Sequence, residues 1–145
     1  MTSGSDPQSL AAEISAGYGN DPALLIEILH DLQEALGCVP EACLPEIAKA
    51  LNIARAEVHG VMSFYHDFRS APVDGALVKL CQAEACQAMG ARTLADALRG
   101  RPGLTVEPVY CLGNCALAPA AMADGRLIGR ATVEKLATLA VEADA

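Results

Sequence analysis

The sequence predicts an α+β protein of two modules in tandem: a small helical bundle over residues 1–70 and a β-α-β-β-α module over residues 71–145. Three observations lead there. Between Asp21 and Met62 apolar residues recur at helical spacing in consecutive segments. At 69–76 the stretch "RSAPVDGA", punctuated by Pro72 and Gly75, breaks the composition. Beyond it, short apolar runs of strand length alternate with helical ones. The 145 residues suffice for one ordinary domain or two very small ones.

The elements follow in order. The first twenty residues are polar, with a short helix expected near Leu10–Ala16. In "NDPALLIEILHDLQEALG", Asp21 suits a cap, Pro22 the first helical position and Gly37 the stop. Leu25, Ile28, Leu29, Leu32 and Leu36 make one apolar stripe along it. Leu44, Ile47, Ala48 and Leu51 repeat the pattern in a second helix that Asn52 can end, with Pro45 early enough to be tolerated. Another helix begins near Ala54 and carries Val58, Val61 and Met62.

After the break, "ALVKL" (76–80) reads as a strand entering Cys81. Thr93–Arg99, with Leu94 and Leu98, reads as a helix ended by Gly100. "LTVEPVY" (104–110) is a second strand, leading into Cys111. "AAMADGRLIGRA" (120–131) reads as a hairpin turning at Asp124-Gly125. Thr132 can cap a last helix over Val133, Leu136, Ala137 and Ala140. The order of this half is thioredoxin-like.

Composition narrows the function. Net charge is −8, which argues against nucleic acid or an anionic membrane surface as partner. No apolar run is long enough to span a bilayer, so no direct membrane insertion is expected. The opening "MTSGSDPQSL" has neither a basic nor a hydrophobic leader region, so the expected location is cytoplasmic. Aromatics are only 3% and much of the apolar content is Ala. A core this thin, divided between two modules, favours a metal or disulfide staple.

The cysteines carry the chemistry. "CQAEAC" (81–86) and "CLGNC" (111–115) each follow a predicted strand directly. If the strands are neighbours, both loops leave the same end of the sheet, and four soft sulfur donors converge. Such a set suits zinc or an iron–sulfur cluster. A reducing cytosol disfavours disulfides. A thioredoxin-type dithiol needs Cys-x-x-Cys, which neither pair has. Rieske ligation needs histidines beside the cysteines, whereas His30, His59 and His66 lie far upstream. Pair spacing alone leaves zinc open. The loops tilt toward a [2Fe–2S] cluster, being free of Lys and Arg and rich in Gly, Ala and backbone N–H groups that can bond to sulfur.

With these residues assembled, the chain resembles the thioredoxin-like [2Fe–2S] subunit family of NADH-dehydrogenase-type complexes. This is the 24 kDa-type family of respiratory NADH dehydrogenase, with relatives in NAD-dependent formate dehydrogenases and NAD(P)-linked hydrogenases. Its Cys-x4-Cys and Cys-x3-Cys pairs match Cys81, Cys86, Cys111 and Cys115, although the 24 residues between Cys86 and Cys111 are a short gap for the family. "GVMSFYHDF" (60–68), "LQEALGCVPEACLPEIAKAL" and "CLGNCALAPAAMADGRLIGRAT" extend the likeness over roughly residues 22–140.

The resemblance implies a helical bundle followed by a thioredoxin-like [2Fe–2S] ferredoxin domain. It also implies one cluster, with Cys81 and Cys86 on one iron and Cys111 and Cys115 on the other. The implied partner is a flavoprotein subunit binding FMN and NAD, with which the cluster exchanges one electron. "CQAEACQAMG" and "YHDFR" look most like the gamma subunit of soluble molybdenum-containing NAD-dependent formate dehydrogenase. That adds a partner subunit bearing the molybdenum cofactor and iron–sulfur centres. The alternatives are the equivalent subunit of respiratory NADH-quinone oxidoreductase or of an NAD(P)-linked hydrogenase, and a stand-alone thioredoxin-like ferredoxin. The seventy helical residues in front of the ferredoxin half favour a docked subunit.

Other residues read more plainly. Cys38 and Cys43 repeat the Cys-x4-Cys spacing, but no third ligand lies near, and burial as small hydrophobes is the expectation. His59 and His66 are expected to pack or hydrogen-bond at the module junction. Phe64, Tyr65 and Phe68 are expected as core or interface anchors. No Gly-x-Gly-x-x-Gly loop and no catalytic triad signature is present, so no residue is assigned a catalytic role and substrate chemistry belongs to other chains.

Overall fold

The computed structural model describes residues 6–143. The chain divides into two compact units, Met1–Pro72 and Val73–Ala145.

The first unit is helical: α1 (Pro7–Gly17), α2 (Leu25–Leu36), α3 (Leu44–Leu51) and α4 (Arg55–Phe64). Asp21 caps as expected, its carboxylate accepting from the Ala23 N–H at 2.9 Å, but Pro22–Leu24 form a 3₁₀ turn before α2 begins. Gly37 ends α2 in the left-handed conformation, and Asn52 does the same for α3. The α4 start has no side-chain cap from Ala54; instead Glu57 reaches back and accepts the Ala54 N–H at 2.7 Å.

Ile28, Leu29 and Leu32 of α2 pack with Leu44, Ile47, Leu51 and Val58 in one core. Each such side chain contributes about 1.5–3 kcal/mol on burial. The chain beyond α4 is tied back by the Gln33 amide, which donates to the Asp67 carbonyl at 2.7 Å and accepts from the Arg69 N–H at 2.8 Å.

The second unit is built on a four-stranded sheet in the order β2-β1-β3-β4. Its strands are β1 (Ala76–Cys81), β2 (Leu104–Val109), β3 (Ala121–Ala123) and β4 (Arg126–Ile128). β1 and β2 run parallel with Ala76 opposite Leu104 and Cys81 opposite Val109. β3 is antiparallel to β1, and β4 to β3. The helices of this unit are α5 (Glu84–Ala88), α6 (Ala91–Leu98) and α7 (Val133–Ala143). Val78 and Leu80 of β1 are fully buried and share a core with Leu94 and Leu98 of α6 and Leu136 and Leu139 of α7.

The parallel pair starts at a close backbone approach. Ala76 donates to the Gly103 carbonyl at 2.9 Å, and a Cβ on Gly75 (φ +72°) would strike that same carbonyl, so only glycine fits there. The hairpin turns at Asp124 (φ 49°) and Gly125 (φ 71°), the two left-handed residues that the Asp-Gly pair anticipates. One α-helix escaped the sequence reading, α5, a short helix that carries Cys86, as did the 3₁₀ turns Glu41–Cys43 and Cys115–Leu117. α6 also starts two residues earlier than expected, after Gly90.

Among the described residues no helix is long and apolar enough to cross a membrane.

Candidate metal centre

Because β1 and β2 are parallel neighbours, their C-terminal ends coincide. Cys81 is the last residue of β1, opposite Val109, and Cys111 follows β2 by two residues. Register is held past the strand ends: the Gln82 N–H donates to the Val109 carbonyl at 2.8 Å, and the Cys81 N–H to the Ala120 carbonyl at 2.9 Å. The strand following Cys115 is thereby pinned beside the strand that ends in Cys81. α5 turns Cys86 back toward Cys81, and the Gln87 side-chain amide locks that turn onto the Gln82 carbonyl at 2.6 Å.

The thiols meet in two pairs. Each pair acts on itself: Cys81 raises the Cys86 thiol and Cys111 raises the Cys115 thiol. Across the two pairs, Cys115 acts on Cys86 and Cys81 acts on Cys115. The first pair is buried, with Cys81 and Cys86 each 2% exposed among Ala91, Ala118 and Ala120. Cys111 and Cys115 face solvent.

The electrostatics differ across the set. Burial pushes the Cys81 thiol up, but bonds from the Ala83, Cys111 and Leu112 N–H groups and from Cys86 outweigh it and hold the thiol below its ordinary value. The left-handed conformation of Cys111 (φ 80°) costs roughly 1–2 kcal/mol for a non-glycine residue. It accompanies a loop whose successive N–H groups, Cys111 and Leu112, both serve the Cys81 sulfur, a backbone nest for an anion. Gly113 (φ 73°) adds an N–H to the Cys111 sulfur at 3.4 Å. Burial, reinforced by Cys81 and Cys115, raises the Cys86 thiol. The bond to Cys111 raises Cys115.

This donor set fits a [2Fe–2S] cluster better than a single ion. Zinc would draw all four sulfurs to about 2.3 Å from one point. A binuclear cluster takes its ligands two per iron, a demand that two neighbouring thiol pairs would suit. The N–H groups aimed at sulfur are the outer-shell bonds that stabilise thiolate ligands. The side chains acting most strongly on Cys81, Cys86 and Cys115 belong to the same set.

Elsewhere, Cys38 and Cys43 are buried and free, Cys43 within the helical core, where burial raises its thiol. Cys38→Ser and Cys43→Ser are expected to leave cluster content and visible absorption unchanged, with a stability loss of about 1–3 kcal/mol from a buried hydroxyl in thermal or denaturant unfolding. Phe68 is in the core against His30, ring centroids 4.8 Å apart. His59 and His66 are exposed. The α4 end leaves Phe64 and Tyr65 at the surface, edge to face at 5.0 Å.

Sequence and fold comparison relate the chain to known proteins. The profile of the thioredoxin-like [2Fe-2S] ferredoxin family matches residues 11–143. The chain is 31% identical to the E subunit of NADH-quinone oxidoreductase from Pseudomonas aeruginosa, over 74% of this chain and 71% of that one. It is 27% identical to the HndA subunit of the NADP-reducing hydrogenase from Solidesulfovibrio fructosivorans, over 74% and 70%. In fold it is similar to a chain in the crystal structure of air-oxidised NAD+-reducing [NiFe]-hydrogenase, with a TM-score of 0.69 at 22% identity. The match covers 83% of this chain but only 23% of that larger one.

Proposed function

The chain belongs to the thioredoxin-like [2Fe–2S] ferredoxin family, and from that premise we propose that it is the electron-transfer subunit of an NAD-linked dehydrogenase complex, with Cys81, Cys86, Cys111 and Cys115 as the ligands of its one cluster. The observation that carries the reading is the asymmetric site: two thiol pairs at one end of the β1–β2 ladder, one buried and one at the surface. A bound cluster supplies one-electron redox chemistry at that surface. The chain's residues hold it, shield one side, and leave the other open to a partner. Tyr110, 73% exposed, and Leu117 flank the exposed pair and are anchors of the kind interfaces bury.

The partner proposed is the flavoprotein subunit that binds FMN and NAD. The parent complex proposed is a soluble molybdenum-containing NAD-dependent formate dehydrogenase, supported by the resemblance of "CQAEACQAMG" and "YHDFR" to its gamma subunit. Identity to a subunit of NADH-quinone oxidoreductase and to a hydrogenase subunit favours a second reading, the equivalent place in one of those complexes.

Two measurements test this. Purified anaerobically, the chain is expected to contain iron and acid-labile sulfide in equal amounts, with a [2Fe–2S] EPR signal on reduction; stoichiometric zinc without sulfide would overturn the ligand reading. Tagged in its host, it is expected to bring down formate-dependent NAD reduction. Hydrogen-dependent or NADH-quinone activity in its place would assign the second reading.

A further inference from the structure

The second cysteine loop does not stand alone. Between β4 and α7 the segment Gly129–Ala131 runs against it: the Arg130 N–H donates to the Leu117 carbonyl at 2.6 Å, and the Ala131 N–H to the Pro119 carbonyl at 2.8 Å. Arg130 is left-handed (φ 47°), and its carbonyl faces Lys135. The Lys135 ammonium donates to that carbonyl at 2.9 Å and to the Gly129 carbonyl at 3.4 Å, so α7 holds the segment from behind. Inside the loop, Leu117 N–H bonds to the Asn114 carbonyl and Ala118 N–H to the Cys115 carbonyl, so whatever shifts Leu117 shifts Cys115.

Gly129 is where the two segments touch most closely. Its φ is not left-handed, so the backbone does not demand glycine. Space does. A Cβ there would lie 2.8 Å from the Leu117 Cβ, 3.1 Å from Leu117 Cδ1 and 3.1 Å from the Asn114 amide nitrogen. The first contact is with an atom fixed to the loop backbone, which cannot swing aside as a side-chain tip can.

We infer that Gly129–Ala131 is the seat of the Cys111–Cys115 loop, with Gly129 the positioning residue that sets how closely the loop sits and thereby the geometry of its two cluster ligands. The inference rests on the ligand assignment proposed above.

The test uses the full chain, reconstituted anaerobically, as wild type, Gly129→Ala, Leu117→Gly and the double variant. The readouts are visible circular dichroism of the oxidised protein, EPR of the reduced protein, and the rate of iron release to a chelator. Gly129→Ala is expected to change both spectra and to release iron about tenfold faster, the low end of what lost outer-shell support costs. The double variant lacks the Leu117 Cβ and is expected to return to the rate of Leu117→Gly alone. A purely structural glycine would lower the unfolding temperature with both spectra unchanged.

Lys135→Met adds no bulk and removes the rear tether. It is expected to move the spectra in the same direction by less, with Lys135→Arg restoring them, and this pair decides the matter if Gly129→Ala does not fold. Wild-type spectra and release rate in Gly129→Ala, or simple additivity in the double variant, would overturn the inference. A wild-type chain that takes up neither iron nor sulfide defeats the ligand assignment first, and the inference with it.

Discussion

Cys81→Ala and Cys86→Ala are each expected to abolish cluster assembly while leaving the ferredoxin unit folded. Both thiols are 2% exposed among alanines, so a methyl group occupies the position without a clash. What is lost is a sulfur that no water or external thiol can reach to replace. At Cys81 the change also strands the Ala83, Cys111 and Leu112 N–H groups that face its sulfur, at a cost of about 1–3 kcal/mol for each that finds no other partner. Loss of an outer-shell partner alone typically lowers metal affinity by roughly 10–100-fold, so loss of a buried ligand should exceed that range. Cys111→Ala and Cys115→Ala differ in kind. Those positions face solvent, where an exogenous ligand can enter, and a partial, labile centre is expected. Iron and sulfide content after anaerobic reconstitution, with the visible spectrum, separates the classes. A full cluster with native spectrum in Cys86→Ala would refute the assignment.

Most of the fold was legible because its signals are local. The α2 stripe Leu25–Ile28–Leu29–Leu32, the stop at Gly37 and the Asp124-Gly125 turn are each written within a few residues, and the structure repeats them. The helix α5 was not legible, since its five residues span little more than one turn and offer no period to read. The four proposed ligands are picked out by spacing and by the strands before them, but their unequal burial is not. Cys81 is buried by packing with Ala118 and Ala120, which lie far from it in sequence, whereas Cys111 is exposed. Gly129 left no signal either, because its constraint is a contact with Leu117 that only the tertiary fold creates.

The other large effect concerns the partner. The isolated chain is expected to keep its cluster yet neither oxidise formate nor reduce NAD. Its sequence offers no phosphate-binding glycine loop, and at the proposed cluster site Cys111 and Cys115 face solvent. Each unit leaves large apolar side chains in water: Phe64 and Tyr65 in the helical one, Tyr110, Leu117 and Met89 in the other. Partner contacts that bury such residues offset the exposure and raise the stability of the chain in proportion to how tightly it is held. In the complex, NADH alone is expected to elicit the reduced [2Fe–2S] EPR signal of this chain, and to do so only while flavin is present. The reason is electron counting: NADH delivers a hydride, an electron pair, and a flavin can part with those electrons one at a time, whereas this chain's site has room for single-electron traffic only. The measurement is EPR of the complex with NADH before and after flavin removal, with the Cys81→Ala complex identifying the signal as this chain's. Equal signals with and without flavin would refute the route.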